Sequence, residues 1–358
     1  MAEIKKQVME VFSQPTVTIP DMVEKQNNSK PYLNYGNDNK YPQYLWSLYL
    51  RSSLLQSITN GIVDYVMGEG IIPNEFIKTL HPYEINKDHD KLYDIIKRIL
   101  VDYIIFGGFA IQVIYNKLHQ ISELYWLDFQ NVRVDKECKR AFYTDDWVRH
   151  SNDAIEYEVF DGTQNSGSCV FYYKGHVTRG TYPIPIYSGA IPAIETSASI
   201  AKFHLNSIKN NFSGNFVINF NNGVPSSDVQ DDIETKIKEK FSGEDNAGKF
   251  MVSFNDSKDN GVTVERIQDD TFDKKYDALR TSTFKEIFIA FRTQPQLFGF
   301  SLEGTAFNTQ EFQESFKLFN KTTISPIQDD ITRCFDRLYG LKDTIKFIPF
   351  QLQNNVEQ

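Results

Sequence analysis

Apolar side chains recur every three or four positions between residues 274 and 339, which is the clearest pattern in the chain. This spacing places them on one face of a helix and predicts two long amphipathic helices. The apolar positions of the first are Tyr276, Leu279, Phe284, Ile287, Phe288 and Phe291. Those of the second are Phe312, Phe316, Phe319, Thr323, Ile327, Ile331, Phe335 and Leu338. Pro326 lies inside the second pattern and predicts a kink, because proline removes one helical hydrogen bond.

Residues 294–308 join the two helices in a loop whose only charged residue is Glu303. The loop carries Phe298, Phe300, Leu302 and Phe307, which should not be left facing water. Either it packs on its own subunit, or it projects into an interface or channel shared with identical subunits. The flanking helices favour the second interpretation, because they would hold the loop out like the bend of a hairpin.

The chain starts with polar, turn-rich residues 1–40, for which we expect an extended or partly disordered arm. A short helix is predicted at 41–51. Ser53 starts a second helix, which ends at Gly68 and Gly70.

Residues 71–88 contain two prolines and predict a loop. Asp90 is expected to cap a long helix that continues through Tyr103, and the glycine pair at 107–108 ends it. Six segments of β-strand composition follow, at 109–115, 121–128, 132–135, 140–143, 155–160 and 169–173.

A proline-rich linker at 182–192 leads into a helix predicted at 193–212. Between this helix and the first of the two long helices, residues 214–268 predict a small α/β insertion. Its elements are strands at 216–220, 250–254 and 262–267 and an amphipathic helix that begins at Ser227. The pattern as a whole predicts an α+β fold.

The composition, with 41% hydrophobic residues and a net charge of −9, indicates a globular acidic protein. Because tight DNA binding depends on Lys and Arg at phosphates, this charge disfavours a tight DNA binder but permits a surface that DNA passes without adhering. No apolar run approaches the ~18 residues of a membrane span, and the N-terminus lacks the pattern of a signal peptide. Cys138, Cys169 and Cys334 are widely spaced, and we expect reduced, packed thiols.

Chemical motifs give no positive signal for an enzyme. None of the six histidines has a metal-ligand spacing, and we expect neither a metal nor a cofactor. The glycines at 68–70 and 107–108 lack nucleotide-binding spacing and suit helix ends. The insertion does concentrate basic residues, which form either a solvated face or, in an assembly of copies, a basic ring. These residues are Lys236, Lys238, Lys240, Lys249 and Lys258.

Several segments, in this order, resemble the tailed-bacteriophage portal proteins, most closely the HK97-like branch. Gly243-Glu-Asp-Asn-Ala-Gly-Lys249 is similar to the family's entry into a strand, and residues 289–299 resemble its Ile-Ala … Pro-x-x-Leu-Leu-Gly segment. Further similar segments are 102–112, 124–133, 188–212 and 312–326. The chain departs from the family pattern at Gly108, Phe109, Asp128 and 293–294.

The resemblance covers about residues 52–339 and implies a division of the chain into functional parts. These are an N-terminal arm at 1–40, a wing at 41–188, stem helices at 189–213 and 269–293, a clip at 214–268, a tunnel loop at 294–308, a long kinked wing helix at 309–340 and a short C-terminal segment at 341–358 with the crown reduced or absent. It further implies DNA-facing candidates in the tunnel loop, namely Gln296, Phe298, Phe300, Leu302 and Phe307.

The resemblance also implies a ring of twelve copies at one capsid vertex of the virion, made in the host cytoplasm. Double-stranded DNA would pass through the ring during packaging and ejection. The implied partners are the large terminase subunit, a head-completion or adaptor protein and the major capsid protein, with no membrane and no catalytic activity. Two other classes stay open: a soluble transferase-like enzyme with an unrecognised active site, and an adaptor protein of another viral assembly.

Overall fold

The computed structural model describes residues 9–10, 19–27, 29–175, 179–209, 215–220, 226–241, 250–254, 262–267, 272–300 and 308–350. The helices are α1 (Tyr41–Arg51), α2 (Ser53–Met67), α3 (Glu75–Leu80), α4 (Leu92–Phe106), α5 (Ile191–Lys209), α6 (Ser227–Phe241), α7 (Phe272–Ala290), α8 (Thr309–Phe319) and α9 (Ser325–Tyr339). The strands are β1 (Met9–Glu10), β2 (Glu24–Gln26), β3 (Leu33–Tyr35), β4 (Gly70–Pro73), β5 (Gly108–Tyr115), β6 (Ile121–Leu127), β7 (Val132–Val134), β8 (Arg140–Tyr143), β9 (Ile155–Val159), β10 (Ser168–Lys174), β11 (Asn215–Phe220), β12 (Phe250–Phe254), β13 (Val262–Ile267) and β14 (Ile345–Ile348). This content confirms the α+β prediction.

The chain divides into two compact units. Unit 1 comprises Met1–Thr18 and Thr196–Thr283, and unit 2 comprises Ile19–Glu195 and Phe284–Gln358. Helices α5 and α7 each contribute residues to both units. The division into wing, stem, clip and tunnel loop is a functional assignment, and it stays a prediction.

The centre of unit 2 is a six-stranded sheet in the order β6-β5-β10-β9-β8-β7. Strands β5 and β10 pair antiparallel along their length, from Ser168 opposite Ile114 to Lys174 opposite Gly108. Helices α1, α2, α4 and α9 supply the other half of the core, where Leu55, Ile99 and Phe335 are fully buried. The six strands predicted from composition are therefore confirmed, with ends that differ by one residue at most.

Two predictions for the region before the sheet are wrong. The predicted loop at 71–88 contains strand β4 and helix α3, whose first turn is capped by the Asn74 side chain. Asp90 does not cap α4. Its carboxylate is held instead by Asn86 and by Arg98, while the Asp94 carboxylate accepts from the backbone N–H of Lys91 at the start of the helix.

Residues 19–27 and 29–40 of the expected extended or partly disordered arm are ordered, and several of their side chains pack in the core of unit 2. Strands β2 and β3 form an antiparallel hairpin, and Tyr35 is fully buried within unit 2. Its ring stacks on Tyr182 with centroids 4.1 Å apart, and its hydroxyl donates to the carbonyl of Pro183 at 2.6 Å. Tyrosines that look ordinary in a polar sequence therefore anchor this segment.

The C-terminal helical rod is continuous but not uniformly α-helical. Helix α8 passes through a π-helical turn, Asn320–Ile324, directly into α9, whose second residue is Pro326. Proline lacks an N–H and crowds the carbonyl four residues before it, so a wider turn upstream accommodates it. The kink at Pro326 stays a prediction. After the rod, β14 pairs antiparallel with β4.

Unit 1 contains a four-stranded sheet in the order β1-β12-β11-β13. Strand β11 runs parallel to β12 and antiparallel to β13, as Phe216 opposite Phe250 and Asn215 opposite Ile267 show. Helix α6 lies between β11 and β12 in the chain and supplies the crossover that a parallel pair requires. The predicted α/β insertion is therefore confirmed in its described elements, and β1 from the N-terminal segment extends its sheet.

The remaining general expectations concern thiols and membranes. Cys138, Cys169 and Cys334 are free thiols, as expected, and burial raises the pKa of Cys169 and Cys334 to about 12. Of the helices in the described ranges, none combines the length and apolar composition needed to cross a membrane.

Candidate functional site

The N-terminal half of the 294–308 loop rests on a cluster of aromatic side chains within unit 2, which we call the loop-base cluster. Its central ring is Phe298, whose centroid lies 6.0 Å from that of Tyr65, 5.9 Å from Phe288 and 6.0 Å from Phe319, each in an edge-to-face arrangement. Such pairs contribute roughly 0.5–1.5 kcal/mol each beyond their buried area. The cluster consists of Tyr65, Phe284, Phe288, Phe298, Phe300, Phe316 and Phe319.

The backbone at the base of the loop is a single 3-10 turn, Pro295–Phe298, which Pro295 begins. Gly299 ends the turn with φ 77°, a left-handed conformation that glycine adopts without steric cost. The N–H of Phe300 then donates back to the carbonyl of Pro295 at 3.1 Å. The segment is therefore closed by its own hydrogen bonds before the chain continues beyond residue 300.

Helix α2 packs directly against this turn through Gly61 and Tyr65. The hydroxyl of Tyr65 donates to the carbonyl of Leu297 at 2.6 Å. One turn earlier on the same face, Gly61 lies so close to Phe298 that a Cβ atom there would be 2.6 Å from two ring carbons. Burial raises the pKa of Tyr65, so its hydroxyl stays protonated and able to donate.

Helix α8 supplies a further hydrogen bond to the base of the loop. The hydroxyl of Ser315 donates to the side-chain oxygen of Gln294 at 2.7 Å, and Ser315 is buried. The side chain of Asn308 accepts from the N–H groups of Gln310 and Glu311 and caps α8 where the loop ends. Both ends of the 294–308 loop are thus fixed by side-chain hydrogen bonds.

The structure describes three of the five predicted DNA-facing residues. Phe298 and Phe300 are partly buried against helices of their own chain, and Gln296 is also partly buried. These contacts support packing on the same subunit for this half of the loop, and a DNA-facing role for these residues stays a prediction. Leu302 and Phe307 lie outside the described residues.

The basic residues of unit 1 are described only in part. Lys236 is exposed on α6 and pairs with Asp232 at 2.7 Å, one helical turn away. An exposed pair of this kind is worth roughly 0.3–0.5 kcal/mol and suits a solvated face. The side chains of Lys238 and Lys240, and residues Lys249 and Lys258, lie outside the described part of the chain, so the basic ring stays a prediction.

A buried arginine, Arg133, was not singled out in the sequence. Its guanidinium donates to the side chain and carbonyl of Asn39 at 2.6 and 2.7 Å and to the carbonyls of Gln130 and Val132. It also lies 5.0 Å from the ring of Trp147. Burial lowers its pKa to about 10, which still leaves it charged at neutral pH. Arg133 therefore joins the N-terminal hairpin region to the sheet.

Two further buried polar contacts hold unit 2 together. The Asp330 carboxylate on α9 accepts from the hydroxyls of Tyr103 and Tyr173 at 3.0 and 3.1 Å and pairs with Arg333. Arg51 forms two hydrogen bonds with the buried carboxylate of Glu195, at 3.0 and 2.8 Å. The hydrogen bonds of these side chains are satisfied within the chain, which suits a structural role.

The described ranges contain no cluster of three or more His, Cys, Asp or Glu side chains that could hold a metal ion.

A model of the phage portal protein family matches residues 79–355. Because the match covers well over half of the chain, this chain belongs to the phage portal protein family, a structural, non-enzymatic family. The sequence-based resemblance to portal proteins is thereby confirmed.

Two curated relatives, both uncharacterized proteins, come from Rickettsia bellii (strain RML369-C) and Rickettsia felis (strain ATCC VR-1525 / URRWXCal2). Each is 28% identical, over 138 and 130 residues. The matches cover 38% and 36% of this chain and 34% and 32% of the relatives. The chain thus spans about a third of the length of these relatives.

Solved structures are similar to this chain over most of its length. An HK97-family phage portal protein from Corynebacterium diphtheriae is 9% identical, with TM-score 0.54, and the match covers 85% of this chain and 95% of that one. A chain of a native gene transfer agent virion is 14% identical, with TM-score 0.56, covering 85% and 83%. A chain from the neck of such a particle, computed with C12 symmetry, has TM-score 0.50 at 14% identity, covering 86% and 84%. At these identities the likeness shows the fold, which is the portal fold.

Proposed function

We propose that this protein forms the portal ring at one vertex of a phage-like particle and provides the channel for double-stranded DNA during packaging and ejection. The observation that carries the proposal is the family match over residues 79–355 together with a portal fold that extends over about 85% of the chain. The C12 symmetry used for the neck of the similar particle supports a ring of twelve copies.

The parts of the ring follow the family arrangement implied by the sequence. Unit 1, whose Thr196–Thr283 segment includes residues 214–268, would supply the clip. The 294–308 loop would be the tunnel loop, positioned by the loop-base cluster and by Ser315. An acidic chain with a net charge of −9 suits a channel wall from which DNA is released easily.

The partners of such a ring are the large terminase subunit, a head-completion or adaptor protein and the major capsid protein. The clip, with Lys236, Lys238 and Lys240, is the surface proposed for the first two. Replacing these three lysines by Ala should weaken docking of the packaging motor while rings still form. Unchanged packaging would indicate that the three residues are a solvated face.

A test of the channel role uses the loop itself. Deleting residues 299–305 should leave rings intact but reduce the amount of DNA packaged or retained in particles. Phe298→Ala should act in the same direction, because it removes the central ring of the loop-base cluster. A deletion that prevents folding would show that the loop is core, and a deletion with normal DNA content would contradict its role in the channel.

The site gives no specific support to the alternative of a transferase-like enzyme. Three buried charged groups of unit 2, Asp330, Glu195 and Arg133, are each committed to hydrogen bonds within the chain. Following the family resemblance, we propose a structural role in the virion, with synthesis in the host cytoplasm.

A further inference from the structure

Helix α7 ends in an unusual way. After its last residue, Ala290, the chain turns through Arg292 with φ 52°, and the N–H of Thr293 donates back to the carbonyl of Phe288 at 3.1 Å. A residue with a Cβ atom pays roughly 1–2 kcal/mol for this left-handed conformation, whereas glycine adopts it without that cost.

Three other helices of the chain are followed directly by a glycine of positive φ, whereas the residue of positive φ after α7 is an arginine two positions beyond Ala290. Helices α2, α4 and α9 end at Gly68, Gly107 and Gly340, with φ of 56°, 82° and 64°. An arginine at the end of α7 is therefore a costly choice. The positive charge of the arginine interacts favourably with the negative end of the helix dipole, which offsets about 0.3–1 kcal/mol of this cost.

The position of Arg292 is fixed while its side chain is exposed. Phe291 before it is fully buried, and Thr293 after it is only 8% exposed. Arg292 itself is exposed. The backbone therefore holds the base of this side chain in one place and presents the guanidinium to solvent, next to the beginning of the 294–308 loop.

Exposed arginines of the described residues fall into two groups: Arg292, like Arg179, Arg280 and Arg337, pairs with no carboxylate, and among these four only Arg292 has a left-handed backbone. Arg98, Arg140, Arg149 and Arg333 each pair with a carboxylate. Within the described residues Arg292 forms no such pair. In an acidic chain, a fixed and exposed cation without an internal counter-ion is suited to an anion from outside the chain.

We propose that Arg292 binds a backbone phosphate of the double-stranded DNA in the channel. The proposal rests on the proposed portal function, because the residue stands at the beginning of the loop assigned to the tunnel. A guanidinium stays charged and can form two parallel hydrogen bonds with a phosphate. One such contact per subunit, on an otherwise acidic chain, gives attraction weak enough for DNA to keep moving.

The test measures association of a short double-stranded DNA with purified rings of the full chain as a function of NaCl concentration. Arg292→Gly should weaken binding and reduce the slope of log K against log salt by about 0.9 for each phosphate that no longer has a cationic partner. Arg292→Lys should keep the slope, because the charge remains. Lys117→Ala, which removes another exposed cation in a turn, is the matched control and should change neither.

Arg292→Gly should also melt no lower than the unaltered protein, because glycine relieves the left-handed conformation. Normal rings whose DNA binding and salt slope are unchanged by Arg292→Gly would overturn this inference alone. A loss of ring assembly in Arg292→Gly would also overturn this inference and would assign Arg292 to a carboxylate of a second copy. Unaltered protein that forms no rings and binds no DNA would contradict the proposed function itself.

Discussion

The hydroxyl of Tyr65 on α2 donates a hydrogen bond of 2.6 Å to the carbonyl of Leu297, a residue 232 positions later in the chain. This contact connects the helical part of unit 2 to the turn from which the 294–308 loop departs. The same tyrosine ring touches Phe298, Phe316, Phe319 and the C-terminal Phe350, with centroids 5.5–6.0 Å apart. Tyr65 therefore connects helix α2, the loop base, helix α8 and the C-terminal segment.

Tyr65→Phe should lower the free energy of unfolding by about 1–2 kcal/mol, because it leaves the carbonyl of Leu297 without its donor while keeping the ring contacts. Urea unfolding measures the change. Tyr49→Phe is the matched control, since the Tyr49 hydroxyl donates to Asn60 at an exposed position and its removal should cost less than ~0.5 kcal/mol. Equal effects of the two substitutions would contradict the importance of the Leu297 contact.

Gly61→Ala should destabilise the protein although alanine favours helices, because the new methyl group would meet the ring of Phe298. The helix gains about 1 kcal/mol from the substitution, whereas overpacking costs roughly 1–3 kcal/mol. In a Phe298→Ala background the ring is absent, and the same substitution should then stabilise. A double-mutant cycle measures this coupling, and independent, additive effects would show that the two residues do not meet.

Arg133→Met should cost roughly 2–5 kcal/mol, because it leaves several buried carbonyl groups and the Asn39 side chain without donors. The N-terminal hairpin region should then open to trypsin at Lys25 and Lys30. Limited proteolysis followed by mass spectrometry reads out both sites. Arg140→Met, at an exposed arginine, should leave Lys25 and Lys30 as protected as in the unaltered protein. Protection of both sites in Arg133→Met would refute the anchoring role.

His81 predicts a pH dependence of stability. Burial lowers its pKa to about 4, and its Nε2 lies 3.1 Å from the hydroxyl of Tyr339 on α9. The unfolded chain binds the proton at a pKa near 6.5, so the free energy of unfolding should fall as the pH drops from about 6.5 to 4. Allowing for solvent screening of a side chain that is only partly buried, the contribution is about 1–2 kcal/mol.

His81→Gln should remove this part of the pH dependence, which unfolding measured at pH 7.5 and pH 4.5 would show. His150 is a control of opposite sign: its hydrogen bond with Asp145 raises its pKa, so its contribution is present at low pH and is lost as the pH rises. A His81→Gln variant with the same pH dependence as the unaltered protein would contradict the assignment.

The sequence predicted much of the fold but little of the loop base. Strand composition located the six strands of unit 2 and helical periodicity located the long helices, because both signals are local in the sequence. Strand β4 was missed because its partner, β14, lies more than 270 residues away in the chain. The docked N-terminal hairpin depends in the same way on distant contacts of Tyr35 and Arg133.

The residues of α2 that contact the base of the loop could not be predicted from the sequence either. The loop's aromatic residues predicted a packed or shared surface, but nothing local to them indicated Gly61 and Tyr65 as their partners. A glycine inside a helix was the available signal, since it costs about 1 kcal/mol unless close packing requires it. A contact between residues more than 200 positions apart leaves no signal in the hydrophobic periodicity of either segment.

The central claim is that copies of this chain form a ring around a channel, and electron microscopy of the purified protein tests it most directly. We predict ring-shaped particles with a central opening and twelve-fold symmetry in class averages. Protein that stays a monomer or dimer under all assembly conditions, without rings in the images, would contradict the claim.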